Sequence, residues 1–485
     1  MTDKTGKKRR FNTSLLIIFI LAVLLRCIMP FYLLKTRNYY LPLMLVSSYA
    51  WDLIAISISI AKGEGIHTEY FSYAISLRDI STPRLNEIKR NPTDRKLFID
   101  KGGFGQIFIT SGIVYLMSSF NIPAIQIFQG IIDSIGCFLV FGILCYYFNR
   151  RICLFGALTY AICPIFIFYS YQLMAEAYIS VFMLAIGYTI ISALKKERWL
   201  WFALAGLLIG LSFSFRSDNA LILPTYIAYI LWFYRKKISY AFTRALLILL
   251  FCIVSFMPFN IIVPKNTQKV STLGVALYNS LGEYPANYKG LRLFSDAAAF
   301  KHGTEKAQEY LKGDAIFKTM YSITQNSLFS GIFKSVVALD LITLSYIREV
   351  IIGKPFLYAN RLISRFFAYL PSHPFLACIT YFFRHGTMIG YRYSQLFQLV
   401  KYVDYLFFLI FLYGAWSCRH NKEILSLLCI YIGVLISHVI VGGGEVCFRL
   451  DMEYVYLDPR YLLGMVSIGP IFIAVAVGKK YKSKY

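Results

Sequence analysis

Charge is scarce in this chain. Only 15% of its 485 residues are Asp, Glu, Lys or Arg, 58% are hydrophobic, and mean hydropathy is +0.58. A soluble domain of that make-up could not clothe its surface. The strict apolar–polar alternation of lipid-facing strands is missing too, because the apolar runs are long and unbroken. These two absences leave an all-α polytopic membrane protein, each crossing taking about 20 mainly apolar residues. The ten cysteines never fall in CxxC or Cys/His metal spacing, and most sit inside apolar runs as small hydrophobes. Cys378 and Cys447 are the two read as exocytoplasmic, and a disulfide between them stays open. No Gly-rich loop offers a soluble nucleotide site. Nor is there an internal repeat of the kind many transporters carry. No small-residue cleavage site follows the first apolar run, which is therefore expected to be a retained helix.

Acid is the scarcer charge. Asp and Glu number 25 against 50 Lys and Arg, a net charge of +25. In a soluble protein that excess would suggest nucleic acid. Here much of it stands in short clusters between apolar runs: 7–10, Arg150 with Arg151, 195–198, 235–237, 419–422 and 479–484. Such clusters orient a membrane protein with the basic loops in the cytoplasm. The remainder suits anionic lipid headgroups or phosphate-bearing substrates, and no nucleic-acid partner is expected.

With the clusters inside, the spans read as 13–33, 121–147, 152–170, 177–194, 199–215, 219–234, 244–263, 398–417, 423–440 and 461–478. The parity closes with both termini inside only if the apolar stretch 104–120 stays outside as an interfacial helix. The expected organisation is an N-terminal membrane module, 1–263, with an outer loop at 34–120. An outer and interfacial helical segment follows at 264–397, then the C-terminal helices of 398–485. Within 264–397, Ile347, Ile351, Phe356, Ile363 and Phe366 alternate with Arg348, Arg361 and Arg365, a pattern suited to the membrane surface. A membrane-embedded helix at 331–352 is the weaker alternative, since Asp340 and Arg348 are costly there.

Charge at span ends gathers on the side opposite the basic loops. Asp52 opens a short apolar helix ending in Lys62-Gly63-Glu64-Gly65. A carboxylate in a half-dry site gains the raised pKa a general base needs, although the helix dipole alone also favours an acid there. Asp100-Lys101-Gly102-Gly103 sets an acid beside a cation, followed by glycines that permit close backbone approach. Lys101 suits a phosphate and Asp100 a sugar hydroxyl or a metal, and an ordinary solvated pair is equally open. Glu176 ends the aromatic run from Tyr169 and reads as a second carboxylate, a metal ligand, or a first-turn acid. Arg216 either pairs with Asp218 in its tight turn or offers a bidentate fork to phosphate. Arg460 and Tyr461, after an acidic loop, carry the same two readings. Inside the spans, Arg26 and Asp133 are expected to form a buried pair that fixes helix register, with a polar cavity as the alternative. His373 and His438 show no ligand spacing.

Taken in order, these segments resemble the GT-C superfamily of polyprenyl-phosphate-sugar-dependent membrane glycosyltransferases. The likeness is to the bacterial branch related to lipid A aminoarabinose transferase and to protein O-mannosyltransferases. Trp51-Asp52-Leu53 with its following helix looks like the first-loop catalytic aspartate. Asp100 to Phe104 looks like the acid-lysine-proline segment, with glycines in place of prolines. Tyr169 to Glu176, Phe215 to Asp218, Leu277 to Glu283 and Asp458 to Tyr461 are similar to later motifs of the superfamily. The resemblance implies a bundle of about 10–11 transmembrane helices with two large exocytoplasmic segments. It also implies inverting transfer of one sugar from a polyprenyl-phosphate donor to a glycan or glycolipid hydroxyl at the outer face. Asp52 would then act on the acceptor, and Lys101, Arg216 and Arg460 on the donor phosphate. Asp100, Glu176 and Tyr461 would bind sugar or acceptor, with a divalent cation an open cofactor. A bacterial inner membrane with a periplasmic site is the implied location. A lipid-linked glycan flippase and an O-antigen polymerase or ligase are the alternatives.

Overall fold

The computed structural model describes residues 13–36, 48–65, 84–89, 104–119, 121–173, 175–262, parts of 348–363, 394–441 and 463–478. Of these, 84% are helical and none is in a strand. The protein is an all-α, multi-pass membrane protein. In chain order the helices are α1 Thr13–Thr36, α2 Ser48–Ala61, α3 Phe104–Met117, α4 Ile122–Ser134, α5 Gly136–Leu144, α6 Arg150–Ile162, α7 Pro164–Ser170 and α8 Glu176–Lys196. Then come α9 Trp199–Phe215, α10 Ile222–Phe233, α11 Ile238–Ile262, α12 Ser394–Ser417, α13 Lys422–Leu425, α14 Leu428–Val441, α15 Leu463–Val466 and α16 Gly469–Gly478. Among the described residues three stretches are long and apolar enough to cross a membrane alone, and α6 with α7, bent by 49°, makes a fourth. Leucines and isoleucines such as Leu24, Leu246, Leu250, Ile253, Leu406 and Leu409 stand exposed on the outer faces of α1, α11 and α12. That is an exterior suited to lipid, not water.

The helices meet where the sequence removes bulk. Along α9, Gly206 and Gly210 bring the chain so close to α11 that an added Cβ would collide with backbone at Ile248 and Cys252. Small residues four apart let helix backbones touch in lipid, where packing drives association. The α6–α7 bend has an equally local cause. Pro164 has no N–H, so the Tyr160 carbonyl four residues earlier loses its helical partner. The guanidinium of Arg26 supplies the missing donors, reaching Tyr160 O at 3.4 Å and Ala161 O at 3.0 Å.

Arg26 is fully buried and bonds Asp133 Oδ2 at 2.6 Å. Asp133 Oδ1 accepts from Tyr160 at 2.8 Å and also from Ser180. One ion pair thus ties α1, α4, α6 and α8 together, the register-fixing role expected of it.

The basic turns collect at one end of the bundle. Lys195 Nζ reaches Tyr146 O at 3.0 Å, Tyr240 donates to Glu197 O at 3.1 Å, and Lys422 lies over the Trp232 ring. An open pocket of about 460 Å³ at this end is lined by Tyr147, Cys418, His420 and Glu423 among others. Burial pushes the Cys418 thiol up to about 11, so it stays protonated at neutral pH.

Two details depart from the sequence reading. The helix over 244–263 begins at Ile238, earlier than expected, because Arg244 is no barrier: its guanidinium lies over the rings of Tyr240 and Phe202 at 4.5 and 5.5 Å. The stretch 121–147 is two helices that break at Ile135. Most of 264–397, with Cys378, and also Cys447, lie outside the described residues. Within the described part of that segment Ile351, Ile352, Phe356 and Ile363 are exposed, while Leu362 packs against the core.

Gly206→Ala should lower the unfolding temperature in detergent by separating α9 from α11, a cost of about 1–3 kcal/mol. Gly112→Ala in α3, where a Cβ meets nothing within 4 Å, should be neutral or stabilising. Equal effects at the two positions would contradict the close α9–α11 packing.

Candidate functional site

The end of the bundle opposite the basic turns is built from four helix termini. Helix α7 closes at Tyr171, and after a short turn α8 opens with Glu176. Helix α9 ends at Phe215, its C-cap Arg216 taking an extended backbone before the 3-10 turn Ser217–Leu221. The carbonyl of Ser212 accepts from Arg216 N at 3.0 Å and from the Asn219 amide at 3.3 Å, which fixes that turn. Helix α4 enters beside them, with Gln126 donating to Tyr171 O at 2.7 Å.

Across the gap between α8 and α9, Arg216 Nη1 meets Glu176 Oε1 at 2.9 Å. The two side chains are 12% and 11% exposed, dry enough for the pair to matter and open enough to be reached. Each also sits at the helix end its charge favours, the acid at an N-terminus and the cation at a C-terminus. The partner of Nη1 comes from 40 residues away in the chain; the side chain of Asp218 lies outside the described residues.

Helix α3 lies across this end. Its first turn packs on α9, where a Cβ at Gly105 would strike the Phe215 ring. Its last turn leads through Ser118, at φ 50, into α4, whose N-terminal half holds Gln126. Both termini of α3 are thus at the same end, and the helix need not cross. Helix α2 packs on α3, with Ser57 Oγ on Ile107 O at 3.4 Å. The C-terminal ends of α2 and α3 meet at one short segment, since Lys62 reaches Ile88 O and Leu85 N bonds Ser118 O. Asp52 stands in α2, five residues before Ser57, which is about 7.5 Å of helix rise.

The structure therefore brings Glu176 and Arg216 into direct contact and carries the Asp52 backbone on the helix pair that adjoins them. The side chain of Asp52, and Asp100, Lys101, Arg460 and Tyr461 altogether, lie outside the described residues. Sequence reasoning missed a set of glutamines beside the pair. Gln126 and Gln129 share one buried face of α4 with Asp133, and Gln172 lies in the turn before α8. Their signal was present: amides at i and i+3, then an acid at i+7, on an otherwise apolar span.

Residues 103–262 match the family model of dolichyl-phosphate-mannose-protein mannosyltransferase. That stretch includes Glu176 and Arg216, and it bears out the resemblance to GT-C membrane glycosyltransferases read from the motifs. No curated protein matches the chain. Among solved structures, the oligosaccharyltransferase AglB of Archaeoglobus fulgidus, in complex with an inhibitory peptide and a dolichol-phosphate, is 13% identical with a TM-score of 0.47, over 96% of this chain and 50% of its own. ArnT of Cupriavidus metallidurans, bound to undecaprenyl phosphate, is 13% identical with a TM-score of 0.38, over 95% of this chain and 78% of its own. The chain spans about half the length of the archaeal protein.

Arg216→Ala strands Glu176 in a largely dry site and should cost about 1–3 kcal/mol, less than for a fully buried pair. Adding Glu176→Ala should restore part of that loss. A double-mutant cycle of unfolding temperatures reads the coupling, and strictly additive effects would mean that the contact is not formed.

Proposed function

We propose that this chain is a membrane glycosyltransferase that moves one sugar from a polyprenyl-phosphate donor to a hydroxyl of a cell-surface glycan or glycolipid. The observation that carries the reading is the Glu176–Arg216 pair, set at the end of the bundle opposite the basic turns and inside the stretch that matches the mannosyltransferase family model. With the basic turns in the cytoplasm, this end faces the periplasm of a bacterial inner membrane. Polyprenyl-phosphate sugars bring their own leaving group, so no nucleotide site is needed.

In the proposed reaction the acceptor oxygen attacks the anomeric carbon as the bond from that carbon to the phosphate oxygen breaks. Asp52 takes the acceptor proton, or orients the hydroxyl that loses it. Negative charge grows on the departing lipid phosphate, where a preorganised guanidinium is worth more than in water. Arg216 suits that role. It carries five N–H donors in a fixed fork, and a phosphate oxygen arriving there competes with Glu176 for the guanidinium. Lys101 and Arg460 are assigned to the same phosphate, and Asp100, Glu176 and Tyr461 to hydroxyls of sugar or acceptor. A resting Glu176–Arg216 pair keeps the cation from being stranded in a dry site while no lipid is bound.

The bundle offers less support for a flippase. Arg26 and Asp133, the charges a polar path at mid-depth would need, bond to each other and to Tyr160 and Ser180.

The test uses membranes supplied with polyprenyl-phosphate-linked sugars. Asp52→Ala should lower turnover at least about a hundredfold, the lower range for a positioned base. Arg216→Ala should weaken donor use while acceptor preference holds. Wild-type turnover by Asp52→Ala would remove the base from the mechanism, and lipid translocation without transfer would favour the flippase.

A further inference from the structure

Next to the Glu176–Arg216 pair the bundle buries polar atoms that it does not satisfy. Gln126 and Gln129 on α4, Gln172 in the turn before α8, and Tyr178 on α8 are at most 2% exposed. Gln126 Oε1, both amide atoms of Gln129, Gln172 Nε2 and the Tyr178 hydroxyl have no hydrogen-bond partner. Buried groups of this kind are rare in native proteins, because each keeps the desolvation cost and returns nothing for it.

These groups are neighbours. Gln126 is anchored on the Tyr171 carbonyl, and Gln172 is the next residue. Gln129 stands one turn further along α4 and is a neighbour of the Tyr178 hydroxyl. The Tyr178 ring packs on Phe215, centroids 5.3 Å apart, and Phe215 precedes Arg216. A charged partner donor and these amides therefore lie side by side at one helix junction.

Their chemistry selects a ligand. Because Gln126 Nε2 must donate to a carbonyl, its Oε1 is fixed as an acceptor; Gln129 presents both an acceptor and a donor, and Gln172 a donor. An anion would meet the acceptors and a cation the donors. A hydroxyl both gives and takes a hydrogen bond and satisfies the set. The acidic side chain described here, Glu176, is already held by Arg216 and does not stand ready for an ammonium group.

We propose that Gln126, Gln129, Gln172 and Tyr178 form the subsite for an uncharged, hydroxyl-rich sugar ring of the lipid-linked donor. The proposal rests on the glycosyltransferase reading above and adds the sugar class and the residues that bind it. It places the ring between α4 and α8, with its phosphate toward Arg216.

Binding to the purified protein in nanodiscs tests it with three probes: polyprenyl phosphate, polyprenyl-phosphate glucose and a polyprenyl-phosphate aminopentose. The glucose form should bind at least about tenfold tighter than the bare lipid phosphate, the increment of one or two good hydrogen bonds. The aminopentose form should gain nothing. Gln126→Leu with Gln129→Leu should erase the glucose increment, leave bare lipid phosphate bound as before, and keep or raise the unfolding temperature. Tyr178→Phe, which removes a single oxygen, should lower the increment about threefold and guards against misfolding of the double variant. A glucose increment that survives the leucines, one absent from wild type, or a tighter aminopentose would overturn the sugar subsite while the lipid-phosphate site stands. Failure of bare polyprenyl phosphate to bind wild type would instead bring down the donor reading, and the subsite with it.

Discussion

One buried guanidinium sets the frame of this bundle. Arg26 sits where hydrocarbon surrounds the protein, and an isolated charge there would be prohibitive. It persists because neighbouring helices supply what it needs, a carboxylate from α4 and two carbonyls at the end of α6, with Ala22 O of its own helix beside them. Those carbonyls need a donor because of Pro164. The proline that bends α6 into α7 and the arginine that fills the bend are two halves of one device. It directs α7 toward the turn that ends in Gln172 and, four residues on, Glu176. Gly130, whose Cα leaves only 3.1 Å between a would-be Cβ and Arg26, lets α1 come near enough to complete it.

The polar face of α4 shows two uses of the same residue types. Asp133, at the lower part of that face, has both carboxylate oxygens engaged by Arg26, Tyr160 and Ser180, and it holds helices in register. One turn above, Gln129 has no partner at all, and Gln126 has one for its amide nitrogen only. Burial is the same in both places. Along α4 the two levels differ in hydrogen-bond satisfaction, a property no single residue displays in isolation.

That difference explains what could be read from sequence. The spans were legible because apolar runs and basic breaks are local and one-dimensional; 199–215 is the helix Trp199–Phe215 itself. The Arg26–Asp133 pair was legible because two opposite charges inside spans have few other fates. The partner of Arg216 was not. Glu176 lies 40 residues away in the chain, and only the packing of α8 on α9 brings it to the guanidinium. Arg244 misled for a related reason, since its tolerance in a span depends on rings contributed by another turn and another helix. The glutamines carried a periodic signal, but amides are common in buried helices, and their unmet valence is visible only in three dimensions.

Helix α9 has 17 residues and so rises only about 25 Å, against a hydrocarbon layer of about 30 Å. It cannot escape that mismatch by tilting, which shortens its reach, or by sliding, because Gly206 and Gly210 lock it to the longer α11. What remains to adjust is the bilayer and the groups at the ends of the helix. A short span is accommodated by local thinning of the bilayer or by flanking charged side chains that reach the interface, and Arg216 stands at the end of α9. A local dimple of this kind would present a lipid phosphate at the depth of the guanidinium, so that membrane shape supplies part of the work of bringing donor and site together.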